Sequence, residues 1–416
     1  MQAAESNLSV YLFMRSRMSK YFPMDAKKLV SLACALFASR CHTEDRFWKN
    51  RIEALLPKLL RNGHQSVLDA ALEQLQKNHP GACSVLAELA EAQSESFTFE
   101  HEGSAWDAVL IAAPILVWTR YSIPSGALKP DLTQTLRSHL QAYVLAQNTQ
   151  VAVAPCLYSI DQLPDDHVNV YRFAQQLGQS ACTNAPVQIA ADDLPQAASA
   201  LADPRFLLAV AAAPAGMALF RWQEERGAHA GRDACLARWA EQGRAPLALA
   251  LPGCEFECLL PDAYYSACRN ADTRIRTAVL RTAVRYLQDA LAVDAGDLRA
   301  VIGGFGERHV EEYRIGFTRR GNAEVLHGIV WPLYGEEEAS FDLSYTNMED
   351  GPERHSNVNI IDLLKETGIH EIRRHPHRFE PEYCDDCGAP LYADPLGEIV
   401  HAGMPEEVET AQPRFH

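Results

Sequence analysis

Phe97-Thr98-Phe99-Glu100-His101-Glu102-Gly103, followed by Trp106-Asp107-Ala108-Val109-Leu110-Ile111-Ala112-Ala113-Pro114-Ile115-Leu116-Val117-Trp118-Thr119, is where the chain changes its period. Up to about Glu95, apolar residues recur every three or four positions, as an amphipathic helix requires. From Ser96 they alternate, and then run together in an apolar, β-branched stretch, as strands require. His101-Glu102-Gly103 between them reads as a turn, so this segment predicts a β-hairpin. Helices ahead of the hairpin and mixed elements behind it predict an α+β protein: an N-terminal helical bundle, two central α+β units and a C-terminal zinc-ribbon-like hairpin.

Upstream, Asp25 is placed to cap a helix carrying Leu29, Leu32 and Leu36. Thr43 is placed to cap one through Phe47, Ile52, Leu55 and Leu59 that Gly63 ends, and Ser66 opens Leu68, Leu72 and Leu75, which Pro80-Gly81 stops. A fourth helix carries Val85, Leu86 and Leu89. Downstream, Pro130 starts a helix through Leu132, Leu136, Leu140 and Val144. Val151 to Ile160 reads as a strand, Val168 to Leu177 as a helix, and Phe206 to Ala213 with Met217 to Trp222 as a strand pair around Pro214-Ala215-Gly216. A polar helix over Gly227 to Gly243, a strand over Cys254 to Leu260 and an amphipathic helix over Thr273 to Leu291 come next. Strands over Ala300 to Ile302, Val310 to Phe317 and Val325 to Leu333, and a helix over Ile360 to Leu364, complete the second unit. These readings divide the chain into a flexible tail (1–24), a helical domain (25–95), α+β units over 96–226 and 227–370, and the hairpin and tail (371–416). The order of elements admits a duplicated ferredoxin-like sandwich, with Val117-Trp118-Thr119-Arg120-Tyr121 faintly echoed by Val330-Trp331-Pro332-Leu333-Tyr334. Within the second unit, 336–356 holds Glu336, Glu337, Glu338, Asp342, Glu349, Asp350 and Glu353, whose repulsion predicts a mobile acidic loop.

With 416 residues and 47% hydrophobic content the chain can bury several cores. Its formal net charge of -16 argues against a surface that tracks nucleic-acid phosphates or anionic lipid. No stretch approaches the roughly 18 apolar residues that span a bilayer. The charge order around Leu8 to Met14, acidic before and basic after, is the reverse of an export signal. Eleven cysteines, an odd number mostly isolated among apolar neighbours, predict reduced thiols and a cytoplasmic protein.

Cys384-Asp385-Asp386-Cys387-Gly388 is the most specific chemical signal. Two thiols three residues apart with a glycine behind them form half of a tetrahedral zinc site. Short strands at Pro390-Leu391-Tyr392 and Ile399-Val400-His401, around the turn Asp394-Pro395-Leu396-Gly397, bring His401 back as a third ligand; His375 or His377 can supply a fourth. A structural zinc is the expected cofactor, the alternative being a degenerate ribbon that holds its shape without metal. A redox dithiol is disfavoured, since Asp385 and Asp386 oppose the thiolate, and a catalytic zinc needs three ligands in a cleft. The run Arg373-Arg374-His375-Pro376-His377-Arg378 reads as a salt-bridged rim rather than a nucleic-acid contact. Gly303-Gly304-Phe305-Gly306-Glu307-Arg308-His309 is either a small polar site or an exposed glycine-rich turn, and Asp165-Asp166-His167 either an acid–base group or a helix cap. No nucleophile elbow, zinc-protease motif or dinucleotide fingerprint is present in the sequence.

Glu44-Asp45-Arg46-Phe47-Trp48, Trp118-Thr119-Arg120-Tyr121-Ser122-Ile123-Pro124-Ser125-Gly126, Leu157-Tyr158-Ser159-Ile160-Asp161-Gln162-Leu163-Pro164, Phe220-Arg221-Trp222-Gln223, Leu260-Pro261-Asp262-Ala263-Tyr264 and Tyr383 to Tyr392 together resemble a bacterial family, domain of unknown function 2863. The resemblance runs from about Asp25 to about Glu407. It implies a bacterial cytosolic protein of conserved architecture and brings with it no activity, cofactor or catalytic residue. Several of these stretches fall at expected strand ends, which makes a convergence of Arg120, Tyr121, Asp161, Arg221, Asp262 and Tyr264 the polar site to look for. The expected function is a binding or regulatory protein, with zinc organising the tail for a protein partner or self-association. The alternative is an enzyme of unrecognised type acting on a small polar substrate in a cleft between the α+β units.

Overall fold

The computed structural model describes residues 23–120, 122–183, 194–195, 197, 200–224, 231–306, 310–333 and 360–403. The expected N-terminal tail, the acidic loop over 336–356, Tyr121 and Glu307-Arg308-His309 lie outside the described residues, except that Pro23 and Met24 of the tail are described and begin the first helix.

Among the described residues four helices come first: α1 (Met24–Phe37), α2 (His42–Arg61), α3 (Gln65–Asn78) and α4 (Pro80–Glu95). Their apolar stripes, Leu29 and Leu32 of α1, Ile52, Leu56 and Leu59 of α2, Leu68 and Leu75 of α3 and Leu86 of α4, meet in one core. None begins with the cap expected for it. Asp25, Thr43 and Ser66 are each the second helical residue, and Pro23, Cys41 and His64 occupy the cap positions without a side-chain cap bond. In the first turn Asp25 still gains from the positive end of the helix dipole.

The hairpin follows as β1 (Ser96–His101) and β2 (Ser104–Trp118), with Glu102 (φ 51°) and Gly103 (φ 76°) at its turn. From Trp106 to Trp118 β2 pairs with β5 (Ala202–Pro214), and β5 with β4 (Gln150–Tyr158), which pairs with the short β3 (Gly126–Ala127). The other edge of β2 is shared by β1, β6 (Glu255–Cys258) and β7 (Asp262–Ala263), giving a seven-stranded antiparallel sheet. Thus the strand over 255–258 joins the first sheet rather than the strands that follow it in sequence.

Helices cover both faces. Even-numbered residues of β2, such as Leu110 and Leu116, pack with α6 (His167–Thr183) and the first half of α8 (Tyr264–Leu291). Odd-numbered ones, such as Ile111 and Ile115, pack with α5 (Pro130–Tyr143) and α7 (Arg232–Ala250). A strand buried on both sides needs apolar residues at every position, which is why β2 reads as a run rather than an alternation. Met217 to Trp222, expected as a strand, holds only a bridge between Phe220 and Leu145 and one 3₁₀ turn (Arg221–Gln223).

The second half of α8 covers another sheet, of order β10-β9-β8-β11: β8 (Leu298–Phe305), β9 (Glu312–Arg319), β10 (His327–Pro332) and β11 (Glu371–Phe379). α9 (Ile360–Glu366) packs on the same face, and β11 runs parallel to β8. A ferredoxin-like repeat would give two sheets of the same order; these differ in strand number and order. The basic run 373–378 is itself most of β11, an edge strand with a register shift between Arg374 and Arg378 around Pro376. The free face of this sheet carries the terminal pair β12 (Tyr392–Ala393) and β13 (Ile399–Val400). Gly328 and Gly316 make room for that docking. A Cβ on Gly328 would lie 2.3 Å from the Tyr392 ring, and one on Gly316 would lie 3.4 Å from the Ala393 carbonyl.

Candidate metal centre

Two short backbone bonds shape the knuckle: the Cys384 amide donates to the Ala389 carbonyl and the Gly388 amide to the Cys384 carbonyl, both at 2.8 Å. Gly388 sits at φ 71°, a left-handed position that a side chain would strain. The fold of the loop aims the amides of Asp386 and Cys387 at the Cys384 sulfur, and the Cys387 side chain adds a third bond. Together these hold the Cys384 thiol below its ordinary value, against smaller opposing effects of desolvation and of the Asp386 charge. The sequence expectation that the aspartates dominate is corrected here, because donors at hydrogen-bond distance outweigh a solvent-screened charge.

β13 returns His401 to this loop. The ligand atoms of Cys384, Cys387 and His401 all lie within 4.8 Å of one another, and Cys387 Sγ is 3.2 Å from His401 Nε2. A tetrahedral zinc, with Zn–S about 2.3 Å and Zn–N about 2.0 Å, separates such a pair by about 3.5 Å. The donor set is soft and borderline, and the Cys384 thiol is biased toward the thiolate, so the three residues fit a zinc ion. Among the described residues no other group of three or more such side chains meets that distance test.

His377 is not in this group. Its ring lies 4.3 Å from that of Phe379 and 5.5 Å from that of His375, across β11. His375 is buried, and its Nε2 donates to the Asp394 carbonyl at 2.8 Å. Asp394 in turn accepts the amides of Leu396 and Glu398 at 2.8 Å each. His375 therefore serves the turn that brings β13 back, and neither histidine joins the thiol pair.

Beneath the knuckle lies Arg314, a residue that sequence reading missed. It has no exposed side-chain surface. Its Nε donates to Glu312 Oε1 at 2.6 Å, and its Nη1 donates to the carbonyls of Glu382 and Leu391 at 2.7 Å each. The guanidinium lies 4.5 Å from the Phe305 ring centre and 4.9 Å from that of Tyr383. Glu382 and Leu391 flank the knuckle, so one buried cation fastens it to the sheet. The available signal was Glu312-Tyr313-Arg314-Ile315: an acid and a base two apart point to one face of an otherwise apolar strand.

The expected polar site does not assemble. Tyr264 is fully buried, donates its hydroxyl to the Pro164 carbonyl at 2.9 Å, and burial lifts its pKa far above the ordinary value. Arg120 pairs at 3.5 Å with Asp289, 25 residues further along the same helix, or about 38 Å at 1.5 Å per residue. Asp262 pairs with Arg232 at 2.5 Å on the sheet edge. Arg221 lies between Phe220 and Trp222, which pack on the opposite face from Tyr264. Asp161 sits in a 3₁₀ turn (Ile160–Gln162) and acts on buried Asp203, whose carboxyl burial raises to about 6 despite Arg205. Asp166 proves to be a cap, its Oδ1 accepting the Asn169 amide at 2.7 Å, and burial lowers the neighbouring His167 to about 4. Gly303 and Gly304 are packing glycines; a Cβ on the first would meet the Phe305 ring at 2.9 Å.

No helix among the described residues is long and apolar enough to cross a membrane. Across residues 14–415 the chain matches the model of a family described as protein of unknown function (DUF2863), and the match runs through the acidic segment. No curated protein and no solved structure matches it.

Proposed function

The chain belongs to the family described as protein of unknown function (DUF2863), and on that footing we propose that it is a binding or regulatory protein whose C-terminal knuckle holds a structural zinc ion through Cys384, Cys387 and His401. The observation that carries this reading is the meeting of those three ligand atoms within 4.8 Å. Zinc, when bound there, supplies a crosslink between the knuckle and β13. The chain's own residues do the rest. Backbone amides stabilise the Cys384 thiolate, Arg314 joins the knuckle to β9, and His375 fixes the turn that presents His401.

A structural rather than catalytic role fits a centre on a short hairpin whose three ligands line neither of the two described cavities. An interaction role is supported by what surrounds it: Asp385, Asp386 and His401 are exposed, and Leu396 at the tip of the β12–β13 turn is 73% exposed. A partner or a second copy of the chain would cover that tip, and the cytoplasm is the compartment that keeps such thiols reduced.

Elemental analysis of the untagged protein tests the zinc. About one zinc per chain is expected, lost in Cys384→Ala and reduced in His401→Ala. A well-folded protein that purifies without zinc and takes up none when it is added would sink the reading. For the interaction, sedimentation of the zinc-loaded chain and its Leu396→Asp variant is the check on self-association.

A further inference from the structure

A cavity of about 580 Å³ lies where the helical bundle meets the first sheet, between α2, the end of α4, the start of β1, and α6. Its size is that of a small-molecule site. Arg61, Gln93, Tyr171 and Gln175 reach it with side chains that have no hydrogen-bond partner among the described residues, and Phe97 supplies an apolar wall. None of the residues lining it is acidic, in a chain whose net charge is -16.

Two glycines show that the walls are built closely. A Cβ on Gly178 would sit 2.4 Å from the tip of the Phe97 ring, so the ring abuts the backbone of α6. A Cβ on Gly63 would sit 2.6 Å from Arg172 Nη2, so that guanidinium packs against the turn after α2, beside the lining rather than in it. Pro57, also in the lining, has no N–H, so the Glu53 carbonyl one turn back loses its helical donor beside the cavity.

These groups have complementary tasks. A guanidinium fork suits a carboxylate or phosphate, aromatic side chains suit a flat ring, and two carboxamides offer donors and acceptors to heteroatoms on the ring edge. We propose that this cavity binds a small planar aromatic anion, its acid group at Arg61 and its ring beside Phe97 and Tyr171, with Gln93 and Gln175 reading its edge. The ring's source is either a nucleoside monophosphate or an aromatic carboxylic acid.

Isothermal titration with adenosine monophosphate, adenosine, benzoate and inorganic phosphate tests this and separates the sources. Adenosine monophosphate or benzoate should bind with a Kd below about 1 mM, and phosphate alone at least about tenfold more weakly. Arg61→Ala, at an exposed position that keeps the fold, should weaken the anion about tenfold or more and leave adenosine unchanged; Gln175→Leu should weaken the ring-bearing probes. Cys384→Ala should change none of these values, which keeps the outcome separate from that of the metal centre. No saturable binding of either aromatic anion, phosphate binding as tightly as adenosine monophosphate, or an Arg61→Ala variant that binds like the parent would each overturn the proposal.

Discussion

Arg314 has no exposed side-chain surface; Glu312 and the carbonyls of Glu382 and Leu391 take its Nε and Nη1, while its Nη2 has no hydrogen-bond partner among the described residues. Removing one member of a buried pair leaves the other charge stranded, which typically costs about 3–5 kcal/mol, whereas replacing both members can be nearly neutral. Arg314→Met should therefore lower stability by about 3–5 kcal/mol in denaturant unfolding, and the double variant Arg314→Met with Glu312→Leu should recover part of the loss. The single variant also frees the carbonyls of Glu382 and Leu391, so on the proposed zinc reading a chelator should remove the metal from it faster than from the parent. Equal chelation rates would show that the knuckle holds its shape without the arginine.

Two element junctions make predictions of their own. Where α4 ends and α8 begins, Glu95 Oε2 accepts the Tyr265 amide at 3.0 Å, Tyr265 and Ser94 bond through their hydroxyls, and Arg269 pairs with Glu91 at 2.8 Å. Burial, added to by Glu91 and Asp262 and opposed by the Tyr265 amide and Arg269, raises Glu95 to about 7. A carboxyl raised in the folded state contributes stability that is full below its unfolded pKa and disappears as pH rises through the folded one. Between about pH 5.5 and 8.5 that contribution falls by about 2 kcal/mol, so Glu95→Gln, which keeps an acceptor but cannot ionise, should gain on the parent by that amount as pH rises. Parallel stability curves for the two proteins would contradict this. At the other junction, Gly328→Ala pushes a methyl into the Tyr392 ring; about 1–3 kcal/mol of overpacking is expected, with the tail cut sooner in limited proteolysis. These elements differ in how readable they were. The β1–β2 hairpin and the cysteine knuckle are local patterns, complete within a few residues, and stand where the sequence puts them. β11 was hidden because a charged edge strand, interrupted by Pro376, looks like a solvated rim. The first nine residues of α8 were hidden because Tyr264, Tyr265 and Cys268 face the sheet core on one side and the end of α4 on the other, which blurs a one-faced helical period. Convergence of Arg120, Arg221, Asp262 and Tyr264 was a tertiary guess, and no sequence period could show that strand ends point to different faces.

One helix decides how the whole molecule behaves. α8 has 28 residues, about 42 Å of helix, and its two halves belong to different cores: Tyr264 through Ile275 to the seven-stranded sheet, Leu280 through Leu287 to the four-stranded one. Ala278 and Val279 sit at the seam, and Arg276 reaches across it, donating to the Pro332 carbonyl at 2.6 Å over the Trp331 ring. A continuous helix cannot unfold in one half without exposing the end of the other, so the two sheets should melt in one calorimetric transition despite having separate cores. Thr277→Pro tests the coupling directly. Proline at a helix interior removes a hydrogen bond and clashes with the preceding turn, at a cost of about 3 kcal/mol or more, and at this seam it leaves both apolar stripes intact. The variant should split the melt into two transitions. Thr277→Gly is the control: it weakens the helix by less than about 1 kcal/mol without breaking it, and should lower a single transition by a few degrees. Two transitions already present in the parent would mean that α8 is only a tether, and the sheets would then have to be treated as independent domains.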